Sequence, residues 1–158
     1  MFGKLITKPD INRREVIVGA ALGGVAMLLG TARPAAATPD EVSKFLTTTL
    51  GPGTPTAGKV TIGAPEIAEN GNTVPITITV DSPMTAQNYV KMIVVAADGN
   101  PAPGVAQVML TPANGTANVS FRIRLAKTQT LTAVAQMSDG TMWSATRLVK
   151  VTIGGCGG

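Results

Sequence analysis

From residue 59 onward the chain alternates between apolar and polar positions. Val74, Ile76, Ile78 and Val80 are interleaved with Pro75, Thr77 and Thr79, and Val119, Phe121, Ile123 and Leu125 with Ser120, Arg122 and Arg124. A period of two puts successive side chains on opposite faces of a strand, so each run offers one apolar and one polar face. Asn70-Gly71, Asp98-Gly99, Asn114-Gly115 and Asp139-Gly140 stand between such runs, and these dipeptides supply the positive φ that tight hairpins need. Seven strands are predicted, over about 59–64, 72–81, 89–97, 105–111, 116–126, 129–137 and 141–153. Ahead of them, Val42, Phe45, Leu46 and Thr49 recur at helical spacing. With Pro39-Asp40 as a start and Gly51-Pro52-Gly53-Thr54-Pro55 as a stop, they predict a short N-terminal helix over 40–50. The expected fold class is all-β, an immunoglobulin-like two-sheet antiparallel sandwich of about seven strands, with a small barrel as the alternative.

The first 37 residues carry a different pattern. Lys4, Lys8, Arg13 and Arg14 form a basic head, Val16 to Gly30 is apolar, and Ala35-Ala36-Ala37 offers a small-residue cleavage site. This is the build of an export leader, removed to leave a chain starting at Thr38. The apolar run is shorter than the roughly 20 residues a membrane span needs, and four glycines dilute it, so no membrane anchor is expected. Arg13 and Arg14, with Asn12 before them and Glu15-Val16-Ile17 after, resemble the twin-arginine export signal; Arg33, close to the cleavage site, fits the same route. That route carries folded proteins and implies the periplasm. Folded export needs a reason, and a partner protein assembled beforehand is the better one here, because no cofactor site is legible.

Composition narrows the function classes. The whole-chain net charge of +4 falls to +1 once Lys4, Lys8, Arg13, Arg14, Arg33, Asp10 and Glu15 are set aside with the leader. Arg122 and Arg124 are then the one close basic pair, better read as one face of a strand than as a nucleic-acid surface, and no nucleic acid is expected as a partner. The chain has no histidine and a single cysteine, so neither a cysteine–histidine nucleophile nor a zinc set can be assembled, and no phosphate-binding glycine loop appears. Met84, Met92, Met109, Met137 and Met142 fall on separate predicted strands and are read as core gap-fillers rather than copper ligands. Trp143 is read as packing. The carboxylates of Glu66, Glu69, Asp81, Asp98 and Asp139 mostly sit where turns want them. Neither cofactor nor metal is expected, and the chain is expected to catalyse nothing alone.

One residue resists a structural reading. Cys156 lies between Gly154-Gly155 and Gly157-Gly158 at the end of the chain, with no side chains beside it to pack on. An exported chain with one cysteine cannot make an internal disulfide, so the thiol is expected to work between molecules or to form a bond with a substrate. Residues 154–158 are expected to form a mobile arm following a sandwich domain at 38–153. Glycines make that arm flexible and thin. No cation flanks the thiol, so a partner's active site would have to activate it.

The ending Val149-Lys150-Val151-Thr152-Ile153-Gly154-Gly155-Cys156-Gly157-Gly158 resembles that of the SoxY family, carrier subunits of the bacterial sulfur-oxidising (Sox) system. Asp81-Ser82-Pro83-Met84, Asn100-Pro101, Arg122-Ile123-Arg124-Leu125-Ala126-Lys127-Thr128-Gln129 and Ser138-Asp139-Gly140 carry the same resemblance, which covers nearly the whole chain after the leader. It implies a heterodimer with a SoxZ-like subunit that lacks its own leader. It also implies covalent attachment of thiosulfate to Cys156 as a cysteine S-thiosulfonate, made by a c-type cytochrome. A sulfate-releasing hydrolase and, where present, a sulfur dehydrogenase then act on it in turn. Two other readings stay open. One is a ubiquitin-like sulfur carrier holding a thiocarboxylate on Gly158. The other is a structural sandwich crosslinked through Cys156.

Overall fold

The computed structural model describes residues 36–154. Helix α1 spans Pro39–Leu50, entered through a capping box in which the Thr38 Oγ1 accepts from the Glu41 N–H at 3.3 Å while the Thr38 N–H donates to Glu41 Oε2 at 2.8 Å. Nine strands follow. They are β1 (Thr56–Ala57), β2 (Val60–Gly63), β3 (Ile67–Asn70), β4 (Val74–Val80), β5 (Val90–Ala97), β6 (Gly104–Met109), β7 (Asn118–Ile123), β8 (Gln129–Met137) and β9 (Met142–Ile153).

They form two sheets, as the alternation predicts. The larger has the order β1-β9-β8-β5-β6, with β3 also on β9, and the smaller the order β2-β4-β7. All seven predicted runs are strands, and two short ones are added. β1 and β3 share the edge of β9 left free by β8, and both run parallel to it, with Thr56 opposite Trp143 and Ile67 opposite Lys150. The rest of the pairing is antiparallel. Only two of the four predicted hairpin dipeptides connect neighbours within one sheet, Asp98-Gly99 and Asp139-Gly140. Asn70-Gly71 and Asn114-Gly115 instead lead from the larger sheet to the smaller. Positive φ is found at Gly115 and Gly140 but not at Gly71 or Gly99.

Between the sheets lie Val74, Ile76, Ile78 and Val80 of β4, Ile93 and Val95 of β5, Leu131 and Ala133 of β8 and Val149 of β9, all buried. Each such valine, leucine or isoleucine side chain removed from water contributes about 1.5–3 kcal/mol. The opposite face of the larger sheet is covered by α1: Phe45, Leu46 and Leu50 pack on Met92, Val94, Val134 and Met142. Hence β5 is buried on both faces, which is why Ile93 to Ala97 reads as an unbroken apolar run rather than an alternation. Met84, Met92 and Met137 are core residues as expected, and two of their sulfurs accept hydrogen bonds, Met84 Sδ from the Val90 N–H and Met92 Sδ from Gln107 Nε2. Met109 departs from that reading. It stands exposed because β6 is the edge strand of the larger sheet, with a neighbouring strand on one side only. Trp143 packs half-buried against the inter-sheet core, with the Lys59 ammonium 4.7 Å from its ring centre.

Candidate functional site

The place where the chain leaves β9 is built from three loops. β9 is held on one side by β8, where Gln129 pairs with Val149, and on the other by β3, where Asn70 pairs with Ile153. Past the start of β8 the ladder has no further backbone to offer, and the Thr128 hydroxyl takes over, accepting from the Val151 N–H at 3.0 Å. On the β3 side the Gly71 N–H donates to the Ile153 carbonyl at 2.8 Å, and the Gly71 carbonyl in turn accepts from the Leu125 N–H at 2.8 Å. The strand is therefore tied down through its last residue.

Gly154 comes next, partly buried. A β-carbon here would run into the carbonyl oxygen of Ala126. That carbonyl belongs to the β7–β8 loop, which is braced by the Asn100 side-chain amide. Asn100 Oδ1 accepts from the Ala126 N–H at 3.0 Å, and Asn100 Nδ2 donates to the Arg124 carbonyl at 2.9 Å. Gln129 completes the brace. Its Nε2 donates to Asn100 Oδ1 at 2.9 Å and to the Lys127 carbonyl at 3.1 Å, while its Oε1 accepts from the Gly99 N–H at 2.9 Å. Gly99 owes its lack of a side chain to this contact, since a β-carbon would stand 2.7 Å from that of Gln129. Asp98 Oδ1 accepts from the Thr130 N–H at 2.7 Å beside it. Gln129 is the sole buried polar side chain among the described residues, and each of its polar atoms is used.

Charge around this root is mostly positive and solvated. Arg124 and Lys127 are exposed on either side of Ala126, and Lys150 on β9 lies 3.9 Å from Glu66 as an exposed pair worth little in water. The described residues contain no grouping of three or more potential metal-ligating side chains, and no helix among them is long and apolar enough to cross a membrane.

Of the residues expected from sequence to form the site, the structure describes Gly154. Gly155, Cys156, Gly157 and Gly158, and the leader residues Arg13 and Arg14, lie outside the described residues. The sequence reading does not single out Asn100, Thr128 and Gln129 as structural determinants. One signal is available. Gln129 falls in phase with Leu131, Ala133, Ala135 and Met137, a polar side chain in the inward register of a strand.

The molecule is thus a two-sheet β-sandwich whose last strand ends among braced loops. Residues 47–156, most of the chain, match the family described as sulfur oxidation protein SoxY. This chain belongs to the SoxY family. The sulfur carrier protein SoxY from Chlorobium limicola f thiosulfatophilum is 32% identical and superposes with a TM-score of 0.62, over 73% of this chain and 100% of that one. The superoxide reductase (neelaredoxin) from Ignicoccus hospitalis aligns at 22% identity and a TM-score of 0.53, over 73% of this chain and 94% of its own. The superoxide reductase from Nanoarchaeum equitans aligns at 12% and 0.52, over 61% and 100%. At such identities the likeness shows a shared sandwich and nothing more. No curated protein matches the chain.

Proposed function

We propose that this chain is the covalent sulfur carrier of a periplasmic thiosulfate-oxidising system, with Cys156 as the attachment point on a Gly-Gly-Cys-Gly-Gly arm. The observation that carries the reading is the match to the SoxY family over residues 47–156, which includes the chain's one cysteine. In the reaction the Cys156 sulfur bonds to the sulfane sulfur of thiosulfate. The thiol proton is released, and an electron pair passes to a c-type cytochrome, leaving the S-thiosulfonate. Water then attacks the terminal sulfonate sulfur, the sulfur–sulfur bond to it breaks, and sulfate leaves with a persulfide remaining on Cys156. A sulfur dehydrogenase, where present, oxidises that persulfide further. The chain contributes no catalytic group of its own to these steps.

Attachment replaces repeated capture of a small anion by an effective concentration set by the length of the tether. From Ile153 the cysteine lies three residues out, a reach of about 10 Å when extended. Export as a folded pair with a SoxZ-like subunit accounts for the twin-arginine pattern at Arg13 and Arg14. Intact-mass and fragment analysis of the chain from thiosulfate-fed cells tests the reading. A thiosulfonate or persulfide on Cys156 is expected. Sulfur on Gly158 as a thiocarboxylate would replace this reading by a ubiquitin-like carrier, and a reducible dimer without sulfur adducts would replace it by a structural crosslink.

A further inference from the structure

The first glycine of the arm has a different neighbourhood from that expected of a purely flexible linker. Its φ lies outside the left-handed region, so its backbone is one that any residue adopts, and conformational freedom is not what position 154 requires. It requires space, because the Ala126 carbonyl fills the place of a side chain. That carbonyl has little room to withdraw. The Ala126 N–H is bonded to Asn100 Oδ1, the Leu125 N–H before it to Gly71, and the Lys127 carbonyl after it to Gln129 Nε2. Gly71 in turn holds Ile153, so the strand end and the loop are fastened to the same residue.

We propose that Gly154 is the fixed pivot of the arm, and that Asn100 and Gln129 are positioning residues that set the direction in which Cys156 departs. This rests on the carrier reading and adds to it: the direction of departure is set at a seated root rather than anywhere beyond the sheet. A β-carbon at 154 would lift the chain off the Ala126 carbonyl and turn the exit direction. With about 7 Å of extended chain between the root and the cysteine, the thiol would then be offered to a partner's active site from the wrong side.

The test uses the mature chain together with its co-purifying subunit, comparing Gly154→Ala with Gly155→Ala. Three quantities are measured. The first is the rate of thiosulfate loading by the periplasmic fraction of a strain lacking this chain. The second is the rate of Cys156 modification by a small maleimide. The third is the pattern of backbone amide broadening caused by a nitroxide on Cys156. Gly154→Ala should slow loading by about tenfold, a misplacement of about an ångström being enough for a hundredfold in an enzyme site. The maleimide rate should not change, and the broadened set of amides should move away from Ala126, Lys127 and Thr128. Gly155→Ala, which adds the same β-carbon beyond the root, should slow loading less than Gly154→Ala and leave the broadening pattern as in wild type. Asn100→Ala, which frees the carbonyl without adding a β-carbon, should widen the broadened set. Combined with Gly154→Ala it should lose less loading than the two single effects multiplied.

Wild-type loading by Gly154→Ala, or the same broadening pattern in both glycine variants, overturns the pivot. If Cys156→Ser itself still supports thiosulfate oxidation, the carrier reading fails instead. Loss of activity in Cys156→Ser with an unaffected Gly154→Ala leaves the carrier reading standing and removes the pivot alone.

Discussion

At the Asp139 end of the β8–β9 pair Asp139 Oδ1 accepts from the Thr141 N–H at 2.9 Å and from the Thr141 hydroxyl at 2.7 Å. A single residue, Ser138, ties the turn to the segment before β5: its N–H donates to the Tyr89 carbonyl at 2.8 Å, and its Oγ donates to the Gln87 carbonyl at 3.3 Å and accepts from the Tyr89 N–H at 3.2 Å. At the Gln129 end the closing side chains come from 23 to 32 residues away: Thr128 to Val151, Asn100 to Ala126, Gln129 to Gly99 and Asp98 to Thr130. The first end rests on its own turn and one residue that reaches outside it. The second end rests on four side chains that fix several loops against one another, where β9 runs out to Gly154. The ordering of several loops costs conformational entropy that a simple hairpin does not, and the brace contacts have to offset that cost.

The largest expected effect separates function from folding at the braced end. Cys156→Ser should abolish thiosulfate-dependent sulfate formation in the reconstituted system, while the melting temperature stays close to wild type, because a residue flanked by glycines on both sides has no adjacent side chains to pack on and such a substitution is expected to stay within about 0.5 kcal/mol. Retained sulfate formation sinks the carrier mechanism. A large drop in melting temperature shows instead that Cys156 is packed.

Next in size is the effect of bulk in the arm. Gly155→Leu should slow loading and unloading by partner enzymes about tenfold, equivalent to about 1.4 kcal/mol in a barrier, with Gly155→Ser falling between it and wild type. Reaction with a small maleimide should be the same in all three. Equal enzymatic rates in the series would mean that flexibility alone explains the glycines beyond the pivot.

The two ends can then be compared directly through stability. Gln129→Leu leaves the buried Gly99 N–H without its acceptor and removes two donors from the brace, for an expected loss of about 1–3 kcal/mol in chemical denaturation. Thr141→Val at the opposite end removes a hydroxyl bond that water replaces, and should stay within about 0.5 kcal/mol. If the two variants cost the same, the brace is no stronger than the turn.

How far each end can be read from the chain follows from the same contrast. Asp139-Gly140 between two alternating runs announces a hairpin because all the residues that make it are adjacent in sequence. The seven long runs are legible for the same reason, the period of two being a local property. β3 is not legible: Ile67 to Asn70 is four residues with one buried side chain, and its partner Lys150 to Ile153 lies some eighty residues later. The brace is hidden likewise. Asn100 and Thr128 look like ordinary turn residues until the fold brings them to Ala126 and Val151, and only Gln129, polar in an inward register, carries a local mark. At the arm, Gly154 and Gly155 are identical letters, and the crowding at the first depends on a carbonyl 28 positions upstream.

The smallest expected effect is a pH dependence confined to the local end. The Asp139 carboxylate accepts the Thr141 hydroxyl bond and, next in weight, the Thr141 N–H bond. Together they hold its pKa below the ordinary 3.8 despite a slight opposing desolvation. A carboxyl whose pKa is lowered on folding binds protons less readily in the folded than in the unfolded chain, so its stabilisation is present in full above 3.8 and is lost as the pH falls through the lowered folded value. Asp139→Asn keeps an acceptor oxygen for the turn but cannot titrate. The difference in melting temperature between wild type and this variant should therefore be constant from neutral pH to about pH 5, then shrink toward about pH 2. Because the group is fully exposed, the change is small and should weaken further in high salt. Thiosulfate loading onto Cys156 should be unaffected by the substitution, since no long-range contact made by Asp139 connects this turn to the Ala126 loop. A melting difference that persists unchanged in acid would mean that Asp139 acts through shape rather than charge, and slower loading would show that the two ends of β8 and β9 are coupled after all.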